Sequence, residues 1–90
     1  MTFKIGDEVK IITEISSEEE MNKFFEEIFT TKEKYDLALR WRLMKDLYNS
    51  VPQREIAHNL GISLCKITRG SKILKQEESI CRNIISQLQN

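Results

Sequence analysis

Apolar residues recur three and four positions apart along most of the chain, which is the spacing that places them on one face of an α-helix. This pattern predicts an all-α fold of about six helices in a single domain of 90 residues. A short helix is favoured over Asp7 to Ile15, although the β-branched residues there leave a strand as the alternative. Residues 1–6 show no such pattern and are predicted to form a loose arm.

Capping patterns mark the starts of the next two helices. Ser16 and Ser17 stand three residues before Glu19 and Glu20, and Thr30 stands three residues before Glu33, which is the spacing of a capping box. The first of these helices is predicted to run to about Phe29, and the second, which is the longest, to about Tyr48. Apolar residues go most of the way round the longest helix, and this predicts that it is buried on several sides.

The stretch from Gln53 to Lys75 predicts two short helices joined by a tight turn. Gly61 follows the first helix, where access to positive φ suits a helix end, and Ser63 is placed to cap the second. Small Ala57 allows the two helices to cross closely. The predicted buried stripe of the second helix comprises Leu64, Ile67, Ser71 and Leu74. These features predict a helix-turn-helix.

A last helix completes the predicted fold. The turn at Asn49 to Pro52 separates the longest helix from the helix-turn-helix, because the residue before a proline disfavours helical geometry. The last helix is predicted to begin within Gln76–Glu78. Its predicted apolar face comprises Ile80, Ile84, Ile85 and Leu88. A core of this size is marginal, so apolar faces of these helices would gain from contact with a second subunit.

Charge is unevenly distributed although the net charge is zero. Residues 1–36 hold five lysines against ten acidic residues, a net of −5, and residues 37–90 hold nine basic against four acidic residues, a net of +5. Gln53 to Lys75 alone carries five basic residues and one acidic residue. This surplus on the helix-turn-helix is what phosphate binding requires, with plain solubility as the alternative explanation.

Several functional classes are disfavoured. Cys65 and Cys81 form no metal-binding pattern with the single histidine, His58, and are expected to be reduced thiols, so no metal is predicted. No catalytic constellation is present, and we expect no enzyme. Charges interrupt the first twenty residues, and no apolar run approaches a membrane span, so we expect a cytoplasmic protein without membrane partners.

Two positions do not suit a simple helical core. Gly70 lies within the second helix of the pair, where glycine costs about 1 kcal/mol relative to alanine. With Arg69 and Ile73 beside it, Gly70 would mark a notch for a small planar anion, a locally weak helix, or a helix break just before Ser71. Arg40 lies within the apolar run of the longest helix, and needs an internal salt bridge, a snorkelling side chain or an anionic ligand.

The string Ile67-Thr68-Arg69-Gly70-Ser71, followed by Leu74-Lys75, resembles the recognition helix of the tryptophan (Trp) operon repressor family. Gln53-Arg54-Glu55 is similar to the Q-R-E at the start of the first helix of that family's pair, and Arg40-Trp41-Arg42 to its R-x-R. The resemblance covers about half of the chain, from Phe29 to Lys75.

The resemblance implies an intertwined six-helix homodimer that represses transcription by binding double-stranded operator DNA with L-tryptophan as corepressor. It implies pocket and dimerisation helices over residues 1–48, the helix-turn-helix over 53–75 and a C-terminal helix over 77–88. The indole would lie between Arg40 and Arg69, with Gly70 giving it room. Arg69 and Thr30 would contact the ligand carboxylate, although Thr30 also suits a helix cap.

The sequence departs from the family pattern at Ile73, where the family has a serine that helps to hold the ligand's ammonium group. Backbone carbonyls near Glu27 and Phe29 would then hold that group. Losing one hydrogen bond to a charged group costs about 1.5–3 kcal/mol. The ligand could therefore be tryptophan with lower affinity or an indole acid without the amine.

The helix-turn-helix suggests how DNA would be contacted. Base edges are expected to be reached by Cys65, Lys66 and Thr68. Phosphates are expected to be contacted by Gln53, Arg54, Ser71, Lys72 and Lys75, with a guanine as a further target for Arg54. Two rival hypotheses are a DNA-binding regulator without a ligand, its pocket filled around Ile73, and a helical dimer whose basic face binds an acidic protein.

Overall fold

The computed structural model describes residues 5–89, and over that range the chain forms six α-helices and no β-strand. The helices are α1 (Asp7–Glu14), α2 (Glu18–Ile28), α3 (Thr31–Tyr48), α4 (Gln53–Leu60), α5 (Leu64–Lys75) and α6 (Ile80–Gln89). The predicted all-α fold is confirmed, and the stretch beginning at Asp7 is a helix, not a strand. Most of the predicted N-terminal arm lies outside the described residues.

The chain divides into two compact units, Met1–Lys34 and Tyr35–Asn90. In the first unit, Ser17 caps α2, its Oγ accepting a hydrogen bond from the backbone N–H of Glu20 over 3.3 Å. The rings of Phe25 and Phe29 pack edge to face with their centroids 5.0 Å apart. No residue of α1 or α2 is fully buried in the single chain.

The predicted capping box at the start of α3 is confirmed. The Thr30 backbone N–H donates to Glu33 Oε1 over 2.9 Å, and the Glu33 N–H donates to Thr30 Oγ1 over 3.1 Å. These bonds satisfy two N–H groups that the helix start would otherwise leave without partners. The bond from the Thr30 backbone, together with the Thr30 side chain, holds the pKa of Glu33 below its ordinary value.

The core of the second unit lies where α3, α4 and α5 meet. Leu43, Ile56 and Ile67 are its buried residues, one from each helix. The half-buried residues that pack around them are Leu47, Val51, Ala57, Leu60 and Ile62. Leu43 is the single fully buried residue of α3, so the prediction that α3 is buried on several sides is wrong for the isolated chain.

The turn between α4 and α5 has the predicted glycine geometry but not the predicted cap. Gly61 adopts the left-handed conformation (φ 62°, ψ 38°), and the Ile62 N–H donates to the Ala57 carbonyl over 3.2 Å. Ser63 has extended backbone geometry, but its side chain makes no capping hydrogen bond. Leu64 was expected in the buried stripe and is 54% exposed, because the core contacts of α5 begin one turn later, at Ile67.

The last helix begins later than predicted, at Ile80 instead of within Gln76–Glu78. Buried Ser79 marks the start, its Oγ accepting a hydrogen bond from the Arg82 backbone N–H over 3.2 Å. The Arg82 guanidinium reaches back and donates to the Leu74 carbonyl over 3.1 Å and to the Glu77 carbonyl. Because these bonds hold the connecting backbone in a turn, its acidic residues stay outside the helix.

The predicted apolar face of α6 is buried at one position only. Ile85 is fully buried. The other members of that face are exposed in the single chain; they are Ile80, Ile84 and Leu88. Burial of this face is therefore confirmed at Ile85 alone, and for the other three positions it remains a prediction that depends on a second subunit.

Candidate functional site

A cavity of about 230 Å³ lies between α3 and α5 in the second unit. This is smaller than the roughly 300–1,000 Å³ of sites for drug-sized ligands, so its size suits one small molecule. The lining residues are Asp36, Leu39, Arg40, Leu43, Met44, Ile62, Lys66, Arg69, Gly70 and Ile73. Its wall is mostly apolar and carries a few charged groups, the usual composition of a binding site for an organic ion.

Helical spacing explains how the two helices form this wall. Asp36 and Arg40 are four residues apart in α3, and Lys66 and Gly70 are four apart in α5. Residues at this interval share one helix face, so each helix turns a continuous stripe towards the cavity. The predicted grouping of Arg69 with Gly70 on a notch in α5 therefore corresponds to an actual concave surface.

Gly70 is buried, and it brings α5 close to α3. A Cβ atom at this position would lie 3.0 Å from Leu47 Cδ1, 3.4 Å from Met44 Sδ and 3.5 Å from Leu43 Cδ2. The first of these distances is too short for an unstrained carbon–carbon contact, which is optimal near 3.5–4.0 Å. Glycine thus allows this close packing without displacing the neighbouring side chains, and α5 continues through Gly70 without a break before Ser71.

Charge around the cavity is predominantly positive. Arg40, Lys66 and Arg69 are basic, and Asp36 is the single acidic residue of the wall. Arg40 is exposed, contrary to the expectation of a buried arginine. Within residues 5–89 it has no ion pair or side-chain hydrogen bond, so the internal salt bridge considered for it is absent there.

The predicted ligand-binding residues fall into two groups. Arg40, Arg69, Gly70 and Ile73 all line the cavity. The others belong to the first unit; they are Glu27, Phe29 and Thr30. There, Phe29 ends α2 and Thr30 begins the capping box of α3.

Sequence reasoning did not identify six of the cavity residues as ligand-binding. They are Asp36, Leu39, Leu43, Met44, Ile62 and Lys66, the last of which was assigned to base contacts instead. The spacing of Asp36 from Arg40, and of Lys66 from Gly70, was the available signal. It was not usable without knowing which faces of α3 and α5 meet.

The predicted DNA-binding residues lie on α4 and α5, and nearly all are exposed. The exposed ones are Gln53, Arg54, Cys65, Lys66, Thr68, Lys72 and Lys75. Ser71 is half-buried, which makes it a less accessible phosphate donor than expected. The Thr68 hydroxyl donates to the Leu64 carbonyl over 2.9 Å, so towards an outside group its oxygen acts as an acceptor.

Over the described part of the chain, no cluster of histidine, cysteine and acidic residues is arranged to hold a metal ion. Cys65 and Cys81 are free thiols. None of the helices in residues 5–89 is both long and apolar enough to cross a membrane.

Comparison with known proteins gives consistent matches. A family described as Trp repressor protein matches residues 7–89. A relative named Trp operon repressor homolog, from Xylella fastidiosa, is 41% identical over 68 residues, which are 74% of this chain and 74% of its own. One of the same name from Chlamydia caviae is 35% identical over 71 residues, covering 78% of this chain and 70% of its own. No solved structure matches the chain.

The family match extends well beyond the Phe29–Lys75 stretch on which the resemblance rested, and includes the N-terminal helices and α6. The fold, the basic helix pair and the named relatives all indicate a repressor-type regulator of transcription and not an enzyme. The chain belongs to the Trp repressor family.

Proposed function

We propose that this regulator binds operator DNA as a homodimer and that L-tryptophan, held in the cavity between α3 and α5, is its corepressor. The observation that carries the proposal is the cavity itself. A space of about 230 Å³ is flanked by Arg40 and Arg69 and lies against the helix that carries the predicted DNA contacts. A ligand there would contact α5 directly and would fix the position of that helix.

Arginine side chains suit both ends of tryptophan. A planar guanidinium stacks on an aromatic ring and also pairs with a carboxylate through parallel hydrogen bonds. Arg40 and Arg69 come from different helices, so they are able to contact opposite sides of one planar ring. Leu39, Leu43 and Met44 line the cavity and would supply apolar surface for the ring.

The proposed contacts from the first unit are chemically compatible with its structure. Thr30 Oγ1 accepts its capping hydrogen bond and retains its O–H to donate to a carboxylate. Its capping and ligand-binding roles therefore do not compete. Glu27 and Phe29 lie at the C-terminal end of α2, where backbone carbonyls lack helical partners and carry partial negative charge. Such carbonyls suit an ammonium group.

The proposed DNA interface is the exposed face of α4 and α5. Lys72 and Lys75 are exposed at the end of α5 and Arg54 at the start of α4, where they would pair with phosphates. In dimeric helix-turn-helix proteins, among which the Trp repressor is a standard example, the two half-sites lie about 34 Å apart. That spacing is a property of the class and is expected here.

Exposed apolar side chains support the proposal that the protein is a homodimer. Ile80 is 72% exposed, Leu88 is 70% exposed and Tyr35 is 63% exposed in the single chain. Further large exposed apolar residues of the helices are Val9, Ile11, Ile28, Leu37, Leu64 and Ile84. Burying apolar surface stabilises by about 25 cal/mol per Å², so a helical dimer that covers these residues would offset the small size of the core.

The rival without a ligand would require the pocket to be filled around Ile73. Ile73 is half-buried and lines the cavity, which nevertheless remains open beside it. This supports the ligand-dependent proposal.

Calorimetric titration with L-tryptophan tests the ligand. We expect saturable heat near one ligand per chain. Arg69→Ala should weaken binding by at least about tenfold, because a hydrogen bond to a charged group contributes about 1.5–3 kcal/mol and about 1.4 kcal/mol is a factor of ten. Arg54→Ala, which removes an arginine of α4 outside the cavity, is the control and should bind tryptophan normally.

Indole-3-propionate, which lacks the amine, is the comparison ligand. Binding of the propionate without binding of tryptophan would locate a change of specificity at Ile73. Absence of heat with both ligands would contradict the corepressor proposal and favour a DNA-binding regulator that works without a ligand.

A further inference from the structure

Asp36 differs from every other residue of the cavity wall. It is the single acidic residue there, and it contributes the only side-chain oxygen, since the remaining members are apolar, basic or glycine. The three basic residues are Arg40, Lys66 and Arg69, and all of them are hydrogen-bond donors without acceptor capacity. The side chains of the wall therefore have one place for a cation and several for an anion.

Asp36 also lacks a partner where one would be expected. It stands four residues before Arg40 in α3, the favourable order for a helical ion pair. Within residues 5–89, however, it makes no ion pair and no side-chain hydrogen bond. Asp36 is half-buried, whereas the three basic residues are exposed. A partly desolvated carboxylate without a partner favours a cationic group from a ligand.

We propose that Asp36 selects an α-amino acid over the corresponding acid without an amine, by accepting a hydrogen bond from the ligand's α-ammonium group. The inference rests on the proposed function of the cavity and names its specificity determinant. An α-amino acid carries an ammonium and a carboxylate on one carbon atom. A wall with one acid and three bases matches that pair of charges, Asp36 taking the ammonium and a basic residue the carboxylate.

The neighbouring wall does not offer another side chain for this role. Ile73 is apolar, and Met44 carries only a weakly accepting sulfur. The competing explanation is that Asp36 merely offsets the positive charge of the three bases. That explanation predicts the opposite change in tryptophan affinity. Removing the acid would then strengthen the binding of every ligand that carries a carboxylate, tryptophan included.

Titration of Asp36→Asn with L-tryptophan and with indole-3-propionate tests the proposal. Asparagine preserves the size of the side chain and removes its charge. We expect tryptophan to bind about tenfold more weakly or worse, since an interaction with a charged group is lost. The propionate, which has no ammonium, should bind as tightly as before or more tightly.

Asp46→Asn is the matched control. It removes the same charge from the same helix, but Asp46 pairs with Arg42 over 3.2 Å and does not line the cavity. This variant should bind both ligands as the wild type does. Thermal unfolding followed by circular dichroism establishes that each variant is folded at the titration temperature, and Asp36→Glu should recover part of the preference for tryptophan.

The outcomes separate the two proposals. Unchanged or tighter tryptophan binding by Asp36→Asn, or equal weakening of both ligands, would overturn the role of Asp36 and leave the corepressor proposal intact. Wild-type protein that binds the propionate but not tryptophan would overturn the role of Asp36 and also the choice of L-tryptophan as the ligand, while leaving the cavity as a binding site. Wild-type protein that binds neither ligand would overturn both proposals.

Discussion

Gly70→Ala adds one methyl group where α5 packs against side chains of α3. In the wild-type geometry that methyl carbon would lie 3.0 Å from Leu47 Cδ1 and 3.4 Å from Met44 Sδ. Both neighbours are ends of flexible side chains, so they can move by a few tenths of an ångström. Met44 and nearby Leu43 also line the cavity, and relief of the contact therefore moves the wall against which the ligand would pack.

Two opposing terms set the change in stability. Alanine is favoured over glycine within a helix by about 1 kcal/mol. Inserting a methyl group into a packed site costs about 1–3 kcal/mol. We therefore expect Gly70→Ala to leave the free energy of unfolding between unchanged and about 2 kcal/mol lower. Tryptophan affinity should fall together with this change, because the cavity is reshaped even where stability is preserved.

Urea denaturation and calorimetric titration measure the two effects on the same variant. Gly6→Ala is the control for adding a methyl group, since a Cβ there would meet nothing within 4 Å. It should leave tryptophan binding unchanged. If Gly70→Ala were more stable by the full helix preference and bound tryptophan normally, the close contact between α5 and α3 and its link to the cavity would both be refuted.

Three other substitutions test separate parts of the account. Gly61→Ala should lower the free energy of unfolding by about 1–2 kcal/mol, because φ at this position is +62°, and Gly61→Asn should recover part of the loss in urea denaturation. Glu33→Gln should make the free energy of unfolding less dependent on pH in acid. The pKa of Glu33 is lowered in the folded protein, so its carboxylate stabilises the fold fully above its ordinary pKa of 4.5. That stabilisation is lost as the pH falls through the lower folded-state pKa. Thermal unfolding between pH 3 and 7 measures this, and an unchanged pH dependence would argue against the capping box. Lys72→Ala should weaken binding to all duplex sequences alike and reduce the salt dependence, and a change confined to sequence preference would contradict its assignment to phosphate.

Helices whose limits are set by local chemistry were predictable from sequence. The start of α3 follows from the reciprocal hydrogen bonds between Thr30 and Glu33, which depend on their spacing alone. The end of α4 follows from the positive φ of Gly61. Both are properties of a few consecutive residues, so no knowledge of tertiary packing was needed.

The start of α6 was not predictable in this way. The helix was predicted to begin within Gln76–Glu78, but the Arg82 guanidinium donates to the carbonyls of Leu74 and Glu77 and keeps that backbone out of the helix. The cap predicted at Ser63 was likewise not predictable from local sequence, since the Ser63 backbone is suitable for a cap but the side chain makes no capping hydrogen bond. These outcomes depend on contacts that sequence spacing does not specify.

The candidate site was predictable in part. Gly70 was identified because glycine is unfavourable within a helix. Arg40 was identified because it is a charged residue within the apolar run of the longest helix. Asp36 is an ordinary residue for a helix surface, and its spacing from Arg40 did not by itself indicate a binding site. Its position at the cavity follows from the way in which α3 and α5 cross.

We propose that tryptophan binding and DNA binding are coupled in this protein. The most direct test of this coupling is a fluorescence anisotropy titration of a duplex selected from a random library, performed with and without saturating L-tryptophan at one salt concentration. We expect clearly tighter DNA binding with tryptophan and, by reciprocity, tighter tryptophan binding in the presence of the duplex. Equal affinity in both conditions, or no selected duplex at all, would contradict the proposed coupling.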